Sequence, residues 1–221
     1  MADQSKPAFR FLDLPPELRM RVYSHLLTED GTIGITTLLD SSLSKRRPAI
    51  YKIGKDRNKL PSMTVGLLRT CRKVCIEATP VFYGDNSFYA DCSLQWSDAF
   101  LHHIGPSVRY LRHFSMRTGR DQKSRRRTFN ILTKATMLSR LNIPLCVWLG
   151  QWTSEKIAKE IGPLIRSLHK SQKKDTNRKS RNVLDILTIR SESKYCLRCR
   201  RIDDAKKYED KVKELLAKTL K

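Results

Sequence analysis

Hydrophobic positions follow two different periods along this chain. Early on they recur at Leu18, Val22, Tyr23, Leu26 and Leu27, three and four residues apart, which is helical spacing. Pro15 and Pro16 stand where first-turn N–H groups have no intrahelical partner, and Glu17 complements the helix dipole. The spacing therefore predicts a helix over 15–27, ended by Thr28-Glu29-Asp30-Gly31. Residues 31–62 lose that period. Segments 33–39 and 49–53 are rich in strand formers and flank a basic stretch with Lys45, Arg46 and Arg47, which predicts a two-stranded insertion. Thr64 then reads as an N-cap. Val65, Leu67, Leu68, Cys71, Val74, Cys75 and Ala78 form one apolar helical stripe, expected to stop at Pro80.

Beyond Phe82 short strand-like runs alternate with helical ones. Strands are expected at 87–92, 109–116, 143–149 and 183–189, and helices at 94–104, 128–138, 154–161 and 203–220. That alternation predicts right-handed βα units and a mainly parallel sheet, hence an α/β fold. Ile104-Gly105-Pro106-x-x-Arg109-x-Leu111 recurs as Ile161-Gly162-Pro163-x-x-Arg166-x-Leu168. Two readings fit: one helix-to-strand joint used twice, since glycine takes a left-handed C-cap and proline blocks continuation, or coincidence on a common helix stop. Segments 118–127 and 170–181 lack apolar periodicity and read as exposed basic loops.

Composition narrows the function classes. The 221 residues carry 44 Lys and Arg against 22 Asp and Glu, a net charge of +22. Such an excess implies anionic surroundings: nucleic acid, a phospholipid surface or an acidic protein. The longest uncharged run, about 14 residues from Leu141 to Ser154, is short of the roughly 18–20 a spanning helix needs, so no membrane insertion is expected. The first residues lack an apolar signal core, and six cysteines are too few for a disulfide scaffold; the thiols read as reduced and the protein as intracellular, nuclear or cytoplasmic.

Candidate chemistry is sparse. No phosphate loop, nucleophile elbow, HExxH or dinucleotide fingerprint occurs, and the acids mostly neighbour bases at helix ends, so the reading is non-enzymatic. Cys196 and Cys199 have a metal-ligand spacing, but a structural zinc site needs four ligands and no second CxxC exists; no cofactor is expected, with zinc the one candidate. His25, His102, His103, His113 and His169 read as surface or interfacial histidines. Glu209 with Lys213 and Glu214 with Lys218 read as surface pairs. Arg125, Arg126, Arg127, Lys173, Lys174, Arg178, Lys179 and Arg181 are the candidate phosphate or anion ligands, giving the alternative reading of a basic nucleic-acid or ribonucleoprotein-associated protein. No aromatic residue is interleaved with them for base stacking.

The segment from Phe11-Leu12-Asp13-Leu14-Pro15-Pro16-Glu17-Leu18 to Leu26-Leu27 resembles the opening of an F-box, the helical motif that docks on the Skp-type adaptor of cullin ubiquitin ligases. Together with Leu67-Leu68-Arg69-Thr70-Cys71-Arg72 and Phe82-Tyr83-Gly84-Asp85-Asn86-Ser87-Phe88, the chain resembles an F-box-like family of filamentous fungi. The β-rich insertion that separates the two helical motifs departs from an ordinary F-box. The resemblance implies a helical F-box-like head followed by irregular, leucine-rich-repeat-like βα units. The organisation expected is a tail at 1–8, an F-box-like region at 9–84 with its insertion at about 31–62, βα units at 85–195, and a CxxC segment with a final helix at 196–221. It also implies a protein-interaction module that links a client to a Skp-cullin-type ligase. Leu14, Pro15, Leu18, Val22 and Leu26 are the residues expected to face the partner; the other reading packs them on 65–78 as the chain's own core.

Overall fold

The structure is a computed structural model, which describes residues 9–40, 45–53, 64–90, 94–116, 122–145, 153–174, 182–191 and 204–220. Helix α1 (Pro16–Leu27) leads into a hairpin of β1 (Thr32–Asp40) and β2 (Lys45–Ile53). Then follow α2 (Arg72–Asp85), β3 (Ser87–Ala90), α3 (Leu94–Ile104), β4 (His113–Met116) and α4 (Gln122–Leu132). The order closes with β5 (Arg140–Leu145), α5 (Ser154–Lys174), β6 (Leu187–Ser191) and α6 (Asp204–Lys218). The strands form one sheet in the order β2-β1-β3-β4-β5-β6. β2 is antiparallel to β1, and β1, β3, β4, β5 and β6 are parallel. The fold is thus α/β.

The parallel strands β1, β3, β4, β5 and β6 follow chain order, so right-handed crossovers between them step the same way and lay their helices on the same face. Consistent with this, α3, α4, α5 and α6 are packed each on the next. The covered face is apolar. Ile33, Phe88, Phe114, Leu141 and Leu187 lie in register across five strands and all are buried. Phe82, Phe88, Phe100 and Phe114 run through this layer with successive ring centroids 5.6, 5.8 and 6.4 Å apart. Each such ring contributes about 1.5–3 kcal/mol when buried. Period-two alternation sends Ser87, His113, Tyr89, Ser115, Asn142 and Thr188 to the other face, where they are half-buried.

Both sheet edges are protected. At one edge the Glu209 carboxylate on α6 accepts the Ile189 N–H at 2.7 Å and pairs with Lys213 at 2.6 Å. At the other edge β2 is rich in Lys and Arg and contains Pro48, a composition that discourages further strand pairing.

Several local expectations are corrected by tertiary packing. Residues Val65–Arg69 form a 3-10 turn, and α2 starts only after Cys71, whose sulfur accepts the Val74 N–H at 3.5 Å. α2 then runs through Pro80 to Asp85. An interior proline costs about 3 kcal/mol in a helix. Here the exposed Ile76, whose carbonyl loses its partner, lies at solvent, and Val81 and Phe82 are buried beyond the proline. α5 likewise runs through Gly162-Pro163 and absorbs part of the expected loop at 170–181, because Ile161, Leu164, Ile165 and Leu168 extend one buried stripe. The two Ile-Gly-Pro segments are therefore different joints. Only Gly105 ends a helix in the left-handed region, at φ +52°, with Pro106 opening a 3-10 turn before β4. β5 starts at Arg140, ahead of the expected 143, and β6 follows a 3-10 turn at Val183–Ile186.

Candidate functional site

Two surfaces carry polar or apolar groups that the fold does not consume. The first is α1. Arg19, Tyr23 and Leu27 lie one helical turn apart and are buried. The Arg19 guanidinium donates to both oxygens of Glu77 on α2, at 2.9 and 2.7 Å, and to the carbonyls of Leu12 and Leu14. The Tyr23 hydroxyl donates to the same carboxylate at 2.9 Å. Burial first, and then the bond to Glu77, push the Tyr23 phenol up to about 12. Asn86, fully buried, donates to the Leu27 and Phe82 carbonyls at 2.7 and 2.8 Å and accepts the Glu29 N–H at 2.8 Å. These bonds fix α1 to α2 and to the start of the sheet.

One flank of α1 stays outside that anchor. Leu18 is 43% exposed and Pro15 is exposed, whereas Leu14, Val22 and Leu26 are half-buried. Leu26 packs partly against the core, and its carbonyl accepts the Thr64 N–H at 3.0 Å. The five expected partner residues are thus neither swallowed by the core nor fully presented, and Leu18 is the most exposed leucine among them.

Glu77 also gives the helix pair a pH dependence. The Arg19 hydrogen bonds hold its carboxyl below the ordinary range. A lowered folded-state pKa contributes stability above the unfolded-state value that is lost as pH falls through the folded one. Glu77→Gln is accordingly expected to lower the melting temperature at neutral pH. The difference from wild type should shrink well below the ordinary glutamate value of about 4.3. Circular-dichroism melts at both pH values check this, and an unchanged difference would contradict it.

The second surface is the polar sheet face, opposite the apolar one, where it meets the start of the parallel strands. Thr32, Ser87, His113 and Arg140 lie in register across β1, β3, β4 and β5. Ser87 Oγ and His113 Nδ1 are 3.5 Å apart. The Arg112 carbonyl accepts the N–H groups of Ser139 and Arg140 at 2.8 and 2.9 Å, which makes Arg112 and Arg140 backbone neighbours around His113. Arg112 pairs loosely with Asp85 at 3.4 Å. Arg140 is exposed, and among the described residues no hydrogen bond or ion pair holds its side chain. Burial first, and then the cations of Arg140 and Arg112, hold the His113 imidazole below its ordinary pKa, with Asp85 opposing them. His113 opens onto a cleft of about 910 Å³ with Met137, Leu138 and Ile186 as apolar wall and Asp85, Arg112 and Asp185 as charged wall.

The expected basic sites divide differently. Arg125 is a correction. It lies within α4, not in a loop, and is buried, donating to Glu160 on α5 at 2.9 and 3.3 Å. A cation engaged in the core cannot meet a phosphate. Arg126 and Arg127 are exposed on the same helix, 4.0 Å from Glu160 and 3.8 Å from Asp98. Lys173 and Lys174 are exposed in the last turn of α5. Arg178, Lys179, Arg181, Cys196 and Cys199 lie outside the described residues. Among the described residues no cluster of three metal-ligating side chains occurs, and no helix is long and apolar enough to cross a membrane.

Sequence reasoning does not single out Arg112, Arg140 or Ser87, and reads His113 as a surface or interfacial histidine. The only available signal was the strand register, which a single sequence does not contain. Compared with family models, curated proteins and solved structures, the chain matches none.

Proposed function

We propose that this protein is a non-enzymatic interaction module, an F-box-like adaptor. In this reading α1 docks a Skp-type partner of a cullin ubiquitin ligase, and the sheet-and-helix body carries a client. One observation supports it best. The flank Leu14, Pro15, Leu18 and Val22 retains solvent exposure on a helix whose other side is locked by Arg19, Tyr23 and Leu27. An apolar flank on a rigidly held helix suits insertion into a partner groove, because little ordering entropy is lost on binding. Such a role belongs inside the cell, in nucleus or cytoplasm.

The test is co-purification with a Skp-type adaptor. Leu18→Asp with Val22→Asp is expected to abolish capture and leave the circular-dichroism spectrum and melting temperature near wild type. Capture that survives the double variant, or no capture by the wild-type protein, removes the docking role.

A further inference from the structure

We propose that the exposed face of α4 and α5 is a docking surface for double-stranded nucleic acid, with Lys159, Arg166 and Lys170 of α5 and Arg126 of α4 holding backbone phosphates. This inference is independent of adaptor docking, which uses α1.

The two helices form one face. The Arg125 guanidinium donates to Glu160 at 2.9 Å, and about two turns farther along both elements the Ser167 hydroxyl donates to the Thr133 carbonyl, also at 2.9 Å. α4 and α5 therefore run side by side in the same direction. Arg126 from α4 and Lys159 from α5 line one groove of about 440 Å³. The outward residues of α5 follow helical spacing: Lys156, Lys159, Pro163, Arg166, Lys170 and Lys173 are all exposed. The carboxylate in the body of α5 is withdrawn from this face, because Glu160 is buried and bonded to Arg125. The other acid of α5, Glu155, stands in its first turn.

The protein does not neutralise this charge itself. On α6, Lys213 and Lys218 stand one turn from Glu209 and Glu214 and pair with them at 2.6 and 2.8 Å. On α5, Arg166, Lys170 and Lys174 stand at four-residue steps, where like charges oppose one another. Among the described residues no hydrogen bond or ion pair holds Lys159, Arg166 or Lys170. Lys173 and Lys174 complement the C-terminal helix dipole, but Lys159 and Arg166 lie mid-helix and gain nothing from it. An outside anion is the remaining complement, and what the face lacks defines its class. Phe129 is the aromatic residue of these two helices and is buried, so unpaired bases have no stacking platform. The apolar stripe of Ile157, Ile161, Leu164, Ile165 and Leu168 is buried, so it cannot enter a lipid interface. Protein interfaces are depleted in lysine and centre on apolar anchors, and no large apolar side chain of α4 or α5 is exposed. Lys159 to Lys170 spans about 16 Å of helix. Over that length a duplex presents about nine phosphate charges. Its stiffness holds them in place, so little order is lost on contact.

The experiment measures binding of the full chain to a fluorescent mixed-sequence DNA duplex by anisotropy, across about 50 to 200 mM salt. Four phosphates neutralised predict a slope of log affinity against log salt of about −3.6. Lys159→Gln with Arg166→Gln and Lys170→Gln should make that slope shallower by about 2.7. All three positions are exposed and glutamine is a good helix former, so the circular-dichroism melt should stay near wild type. Arg126→Gln alone leaves α5 intact and should make the slope shallower by about 0.9. The control is Arg69→Gln with Arg72→Gln and Lys73→Gln, three exposed cations at the start of α2, which should leave the slope at the wild-type value. No binding by wild type, or an unchanged slope in the α5 triple variant, overturns the surface. An unchanged slope in Arg126→Gln overturns the part of α4, and an equal loss in the α2 control shows an effect of net charge and overturns the site. A single-stranded oligonucleotide, phosphatidylserine vesicles or polyglutamate bound as tightly as the duplex overturns the choice of partner. Adaptor capture by the α5 triple variant should remain at the wild-type level, so failure here and failure of the docking reading are separable.

Discussion

Glu160→Leu is expected to destabilise the protein by about 3–5 kcal/mol, the usual cost of stripping one partner from a buried ion pair. Glu160 on α5 is 7% exposed and Arg125 on α4 is 8% exposed. Their two contacts, at 2.9 and 3.3 Å, align the guanidinium with both carboxylate oxygens. Without Glu160 the Arg125 charge stays between α4 and α5 with that compensation gone. Arg126, 61% exposed and 4.0 Å from Glu160, contributes little. At about 2–4 °C per kcal/mol for a chain of this size, the melting temperature should fall by roughly 10 °C. Arg125→Met combined with Glu160→Leu should recover most of the loss, because apolar replacement of a whole buried pair is often neutral. Urea unfolding of the wild type, the single variant and the double variant checks both parts. A double variant no better than Glu160→Leu would show that the site depends on packing shape and not on charge.

Asn86→Leu is expected to cost about 3–4 kcal/mol, from three buried backbone groups that lose a partner together. Those groups are the carbonyls of Leu27 and Phe82 and the N–H of Glu29. They belong to the end of α1, to α2 and to the approach to β1, so one amide closes the junction between the helix pair and the sheet. Asn86→Asp should be at least as damaging. It keeps an acceptor for Glu29 but turns an oxygen toward two carbonyls that require donors. Asn86→Ala should cost less than either, because the vacated space can admit a water that bonds the same groups. The order of the three variants in denaturant midpoint is the test. Aspartate ranking as the mildest would mean that the Nδ2 donations contribute little.

The parts of this fold legible in the sequence are those in which local preference and burial agree. α1 lies within a residue of the expected 15–27, because Pro15, Pro16 and Glu17 favour a helix start and the apolar stripe favours the same span. The strands of the 31–62 insertion, α3 and the parallel βα order are likewise where hydrophobic period and turn residues coincide. The misplaced boundaries are those in which a local breaker met a larger buried area. Pro80 and Pro163 each sit inside a helix whose following residues are core. α4 was expected about six residues too late, since Arg125 occupies a core position and breaks the apolar signal. Of the candidate site, the α1 flank is readable from helical spacing alone. The row Ser87, His113 and Arg140 is not, because no local pattern joins residues on three different strands.

The sequence by itself determined the alternation of strand and helix, the apolar face of each strand, and the helix that carries Leu18 and Val22. Those follow from periods of 2 and 3.6, which need no knowledge of neighbours. Only the tertiary structure decided which charges are structural and which are available. Arg19 and Arg125 look no different in sequence from Arg126 or Arg140, yet the first two meet carboxylates 58 and 35 residues away and are buried by them. Arg140 stays exposed because parallel register sets it opposite His113, and Ser139 and Arg140 both donate to the Arg112 carbonyl beside it. The physical reason is that a charge is buried or left to solvent by the partner that long-range packing brings to it, and not by the residues beside it in the chain.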